Sequence, residues 1–182
     1  MVAVILAVIV ILLILAVIVV TSQPSAFAIT RTTTIAATPA AVFAQVNDFH
    51  KWQAWSPWAK MDPQVITSYE GADSGVGASY TWSGNKQVGA GRMTITESHA
   101  PELIRIALAF TKPMVANNIA EFTIISSGDH TIISWTMTGT NGLVAKAFGL
   151  VVNVDQMVGG EFDKGLAAMK RLCEGVAQPL DT

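Results

Sequence analysis

The chain has 182 residues, 51% of them hydrophobic and 13% charged, with 11 basic side chains against 13 acidic ones. Residues 1–20 are all apolar and no charged side chain precedes Arg31, so an apolar leader is joined to one globular domain of ordinary composition. These proportions exclude disorder, a multi-span membrane protein, a disulfide scaffold (Cys173 is the single cysteine) and a basic nucleic-acid-binding surface. About 150 residues suffice for one hydrophobic core and are too few for two.

Met1 to Val20 contains only Met, Val, Ala, Ile and Leu. As a helix, about twenty residues span roughly 30 Å, the thickness of a bilayer's hydrocarbon core. A transmembrane helix over 1–20, retained as a single-pass signal anchor, is therefore expected. A cleaved signal peptide would carry a basic n-region and a shorter apolar run. Ala26-Phe27-Ala28 nevertheless resembles a small-x-small site, which would place cleavage after Ala28. Arg31 is the one basic side chain near either end, so the side of the membrane is undetermined, with the extracytoplasmic side preferred. Residues 21–28, with Pro24 inside a polar run, read as a linker. Residues 29–177 form the domain and 178–182 a tail.

Thr30 to Ile35 is rich in β-branched residues and predicts a first strand. Thr38-Pro39 supplies a helix N-cap with proline at the first helical position, ahead of Ala40–Val46. A second short helix is expected from Asp48 to Trp55. Period-two patterning between turn residues then predicts strands at Val65–Tyr69, Ala78–Trp82, Val88–Ser98, Leu103–Phe110, Ile119–Ile125 and Thr131–Thr138. The chain turns helical again after Gly139. From Val154 to Ala177, apolar residues recur at spacings of three and four, the mark of an amphipathic helix of about six turns. Antiparallel strands followed by one long helix argue an α+β fold in which the helix covers one face of a curved sheet.

Familiar catalytic signatures are absent. Gly75-Val-Gly77 and Gly89-Ala-Gly91 are too short for a dinucleotide fingerprint and read as turn or bulge glycines. His50, His99 and His130 lie in separate segments and read as solvated side chains, so neither a metal nor a cofactor is expected. Cys173, on the apolar stripe of the last helix, reads as a small buried hydrophobe. The aromatic grouping is more informative: Trp52, Trp55 and Trp58 fall within seven residues. Tyr80 and Trp82 share a strand face, as do Met93, Ile95 and Glu97. Ile104, Ile106, Leu108 and Phe110 form another row, and Ile133, Trp135 and Met137 a third. These rows build a core, or, if the sheet curves strongly, an apolar cavity rimmed by Trp and Tyr. Glu97 would then be a costly inward charge with Arg92 as one partner, unless a bulge shifts the face assignment.

Several segments resemble the polyketide cyclase/dehydrase-like branch of the START/Bet v 1 (SRPBCC) helix-grip superfamily. They include Thr34–Phe43, Val46–Trp52, Trp55-Ser-Pro-Trp58, Gly75–Asn85, Val88–Ile95, Thr131–Gly139 and Phe162-Asp-Lys-Gly165-Leu166. The resemblance covers residues 29–175. It implies a helix-grip fold, a seven-stranded antiparallel curved sheet around a long C-terminal helix with two short helices after the first strand. It also implies an internal cavity for hydrophobic ligands, but supplies no catalytic set.

The leading expectation is a membrane-anchored module that binds a lipophilic small molecule, lipid- or polyketide-like. Its candidate pocket residues are Trp55, Trp58, Tyr80, Trp82, Met93, Phe110, Trp135 and Met157. One alternative is a cyclase- or dehydratase-type enzyme using Glu97 or Asp48 as acid–base group with Arg92 nearby. A second makes the Trp52–Trp58 segment a co-chaperone-like protein-docking surface.

Overall fold

A computed structural model describes residues 1–175. The leader forms α1, Val2–Ser22, which buries no residue and is long and apolar enough to cross a membrane. Strand β1 begins at Ala26 and runs to Ile35, so the helix and strand between them take up most of the expected 21–28 linker. Only residues 23–25 join the two. Ala26, Phe27 and Ala28, the cleavage-like triplet, pair with Thr140, Gly139 and Thr138 inside the sheet.

Helix α2, Pro39–Val46, starts as the sequence predicts: Thr38 caps it through a side-chain bond from the Ala41 N–H, and Pro39 occupies the first turn. The segment after it forms two 3₁₀ turns, Phe49–Ala54 and Pro57–Lys60, where one short helix was expected. Pro57 cannot continue the first turn, because its ring fixes φ and removes the N–H donor, so it opens the second.

The remaining strands are β2 (Ile66–Glu70), β3 (Ser79–Ser83), β4 (Ala90–His99), β5 (Leu103–Lys112), β6 (Ala116–Ser127) and β7 (His130–Thr140). They form one antiparallel sheet in the order β1-β7-β6-β5-β4-β3-β2. Helix α3, Leu143–Gly149, follows β7 and packs against α1. Helix α4, Val154–Cys173, lies across the inner face of the sheet. The end expected at Ala177 and the tail at 178–182 fall outside the described residues.

The apolar rows of the sequence become aligned cross-strand rows. Ile104, Phe122 and Trp135 pair across β5, β6 and β7, as do Ile106, Ala120 and Met137. All six are buried on the inner face of the sheet, where Phe122 meets Trp52 and Trp55, Trp135 stacks on Phe162, and Gly165, Leu166 and Met169 of α4 complete the core. Beyond Trp135 the first of these rows ends at Arg31 on the edge strand β1. The Arg31 guanidinium reaches α4, bonding Asp155 at 2.9 Å and Asp163 at 3.3 Å. Gly159 gives it room, since a Cβ there would collide with the guanidinium.

Candidate ligand cavity

Curvature of the sheet keeps α4 from filling the space under β3–β5, and a partly enclosed cavity of about 230 Å³ remains. That exceeds the roughly 150 Å³ of an apolar cavity that accepts benzene. Tyr80, Trp82, Met93, Leu108 and Phe110 form the sheet-side wall, and the far side is made by Trp135, Val158 and Phe162. Trp52, Gln53, Ser56, Trp58 and Ala59 descend from the 3₁₀ turns, while Val65 and Val88 stand at the rim.

The walls are held rigid by aromatic packing. Trp135 stacks on Phe162 with ring centres 4.1 Å apart and planes 7° from parallel. Trp58 meets both edge-on, at 5.8 Å and 6.2 Å. Trp82 stacks on Tyr80 and meets Phe110 edge-on. Such offset and edge-to-face contacts suit the ring quadrupoles and resist collapse into the void. The indole N–H of Trp82 donates to the Val88 carbonyl at 2.9 Å and that of Trp52 to Val46 at 3.0 Å, which fixes each ring by a second point.

No carboxylate, lysine, arginine or histidine is among the lining residues, and Tyr80 supplies their one titratable side chain. Burial pushes its phenol pKa up, Tyr69 adds to the rise, and a hydrogen bond with Gln53 opposes it. Tyr80 is therefore a neutral hydroxyl at physiological pH. With Gln53 and Ser56 it makes the polar part of an otherwise apolar surface.

Six of the eight expected pocket residues meet here: Trp58, Tyr80, Trp82, Met93, Phe110 and Trp135. Trp55 and Met157 do not. Trp55 is 1% exposed and packs behind the wall against Phe122 and Trp135, with its N–H on the Gln45 carbonyl. Trp52 takes the lining position. Met157 is 51% exposed, and its neighbour Val158 faces the cavity. Helical spacing carries that signal: at 3.6 residues per turn, Met157 lies about 105° from the centre of the stripe through Val154, Val158, Phe162 and Met169. Gln53, Ala59, Val65 and Val88 had no signal in local sequence, because they arrive on the 3₁₀ turns and the loops beside β2 and β4.

The weak catalytic candidates all lie away from the cavity. The pairing of β4 with β5 skips Thr96, a bulge that reverses which face the following residues occupy. Ile95 points inward, whereas Glu97 points outward and meets Arg105, which also holds Glu121. Arg92 is on the outer face, paired with Glu70 at 3.0 Å. Asp48 accepts from the His50 N–H and contacts its ring, capping the first 3₁₀ turn. In the Trp52–Trp58 segment Trp52 and Trp55 are buried and Trp58 is half-buried, so two of its three indoles are not on the surface. His50 stacks on Tyr69, and Cys173 is half-buried on α4, where burial raises its thiol pKa. Among the described residues there is no cluster of His, Cys, Asp or Glu able to hold a metal.

A family model for polyketide cyclase / dehydrase and lipid transport proteins matches residues 26–174. The chain belongs to this family. No curated protein matches it. Among solved structures it is similar to the Aha1 dimer from Colwellia psychrerythraea, at 13% identity and a TM-score of 0.61, over 84% of this chain and 99% of that one. CalU16 from Micromonospora echinospora is similar at 14% identity and a TM-score of 0.55, over 85% and 78%. Protein CV1439 from Chromobacterium violaceum follows at 14% and 0.58, over 81% and 96%. At such identities the likeness shows the fold alone. The match spans every strand of the sheet and α4, and leaves α1 outside it.

Proposed function

We propose that this protein is a membrane-anchored binding module that holds a lipophilic small molecule in the cavity between the sheet and α4. The cavity carries the reading: it is apolar, bounded by rigid aromatic rings and free of charged lining residues. Burying an ion there would be costly, whereas an acyl chain or a small fused-ring compound loses water contact favourably. The Tyr80 hydroxyl and Gln53 amide suit one uncharged polar group on the ligand, such as a carbonyl or hydroxyl. Helix α1 supplies the anchor, keeping the cavity beside the phase into which such ligands partition. The lack of a carboxylate among the lining residues favours binding over a cyclase or dehydratase reaction, which needs an acid–base group at the substrate.

The test is to purify residues 23–182, extract with organic solvent and analyse the extract by mass spectrometry, alongside titration with fatty acids, sterols and aromatic polyketides. One bound class in about equimolar amount is expected. Extracts without a ligand, together with no saturable binding across the panel, would sink the proposal.

A further inference from the structure

The antiparallel order places the first residue of β1, the last of β7, the β5–β6 turn and the β3–β4 turn at one end of the sheet. That end carries a set of large apolar side chains that stand exposed to solvent. Val115 on the β5–β6 turn is 81% exposed and Val151 after α3 is 82% exposed. Met114, Leu143, Val144 and Phe148 are exposed beside them. Lys86, Lys112 and Lys146 belong to the same end, whereas the turns at the opposite end carry Asp73, Glu102 and Asp129. A soluble surface rarely gathers this much apolar area around lysines without a partner.

The chain itself indicates what covers it. Three residues separate Ser22 of α1 from Ala26 of β1, four Cα steps that reach at most about 14 Å. Even that reach is restricted. The Gln23 N–H bonds the Val20 carbonyl, Pro24 fixes its own φ, and the Ser25 carbonyl accepts from the Asn141 N–H at 2.7 Å. Helix α3 packs directly on α1. With α1 across a bilayer, this short and pinned linker, together with the α1–α3 contact, holds this end of the sheet beside the headgroup layer, which is about 5–8 Å thick on each side.

We infer that the anchor end of the domain, formed by α3, residues 150–151 and the β5–β6 turn, lies in the headgroup layer of the same bilayer that α1 spans. The apolar side chains enter the acyl boundary and the three lysines meet anionic headgroups. This inference rests on the proposed anchoring by α1. It adds a fixed orientation: the cavity rim at Val65, Trp82 and Val88 belongs to the bilayer-facing end, and a ligand passes between lipid and cavity without crossing bulk water.

The test uses the full chain in nanodiscs with one anionic lipid in four. In a Cys173→Ala background, single cysteines replace Leu12, Val115, Val151 or Asp129 and carry an environment-sensitive fluorophore. Quenching by nitroxide lipids and by aqueous iodide is then compared, with thermal melting used to confirm folding. Labels at 115 and 151 are expected to be quenched by nitroxide lipid at least threefold more than the label at 129, with the reverse order for iodide. Labels at 115 and 151 that behave like 129 while 12 is quenched by lipid overturn the docking and leave the anchor intact. A label at 12 reached by iodide overturns anchor and docking together.

Discussion

Trp82 lies directly over Gly91: a Cβ at position 91 would stand 2.5 Å from Cη2 of the Trp82 ring and 2.5 Å from the Ala109 carbonyl oxygen. The two residues are register partners across β3 and β4, so glycine provides the hollow in which a cavity-wall indole rests. Trp82 cannot simply swing away, because its N–H is held by the Val88 carbonyl. Gly91→Ala is expected to cost about 1–3 kcal/mol, the range for overpacking a well-filled core, and to weaken ligand binding by pushing the ring into the void. Thermal melting and a ligand titration read the two effects separately.

Filling the void should separate binding from folding. Ala120 lines the cavity, is 4% exposed and sits on the interior strand β6. In a solid core, Ala120→Leu would cost about 1–3 kcal/mol. With 230 Å³ of space beside it, the leucine is accommodated. Stability within about 1 kcal/mol of the parent, together with loss of copurifying ligand, is the expected result. A drop in melting temperature of more than about 10 °C would show that the space is not there to be filled.

Adjacent glycines on α4 should respond differently to one substitution. Nothing stands within 4 Å of a Cβ at Gly160, so Gly160→Ala should gain about 0.5–1 kcal/mol from helix propensity alone. At Gly159 the same methyl group displaces the Arg31 guanidinium from Asp155 and Asp163. Gly159→Ala should therefore melt at or below the parent temperature and Gly160→Ala above it. Differential scanning calorimetry on both variants checks the ordering.

The same ion pair sets a sign for the acid limb of stability. Hydrogen bonding and charge from Arg31 hold the Asp155 carboxyl below its ordinary pKa. The Ala36 N–H, with help from Lys170, does the same for Glu174. A pKa lowered by folding means that the unfolded chain binds the proton more tightly. Stability from these groups is present above their unfolded values, about pH 4, and is lost as pH falls through the lower folded values. The melting temperature should hold between pH 8 and about 5 and decline below about 4. Asp155→Asn should melt lower at pH 7 and decline less steeply on acidification, which a pH series of melts would show.

Local rules carried much of the architecture. The uniform apolarity of residues 1–20, the Thr38-Pro39 cap, the alternating strands and the three-four stripe of α4 each state a secondary structure within a few residues of itself. Even Met157 was assignable from helical spacing alone. Thr96 was not, because a bulge is defined by how many residues a strand sets against its neighbour, and sequence does not show the neighbour. That one extra residue moved Glu97 from an expected cavity charge to an outer-face ion pair and removed the acid–base candidate.

By itself, then, the sequence determined an apolar segment long enough to span a membrane, an antiparallel sheet with a terminal helix, and six of the side chains that line the cavity. Those features depend on the period of the pattern, which each segment carries on its own. Only the tertiary structure decided that a void remains between sheet and helix, that Gln53 from a 3₁₀ turn and Val65 from a loop close it, and that Trp55 packs behind the wall. It also decided that the exposed apolar side chains of α3 and the β5–β6 turn gather at the end of the sheet that adjoins α1. Sheet curvature, strand register and the meeting of distant loops are set by the balance of packing over the whole domain, and no single segment contains them.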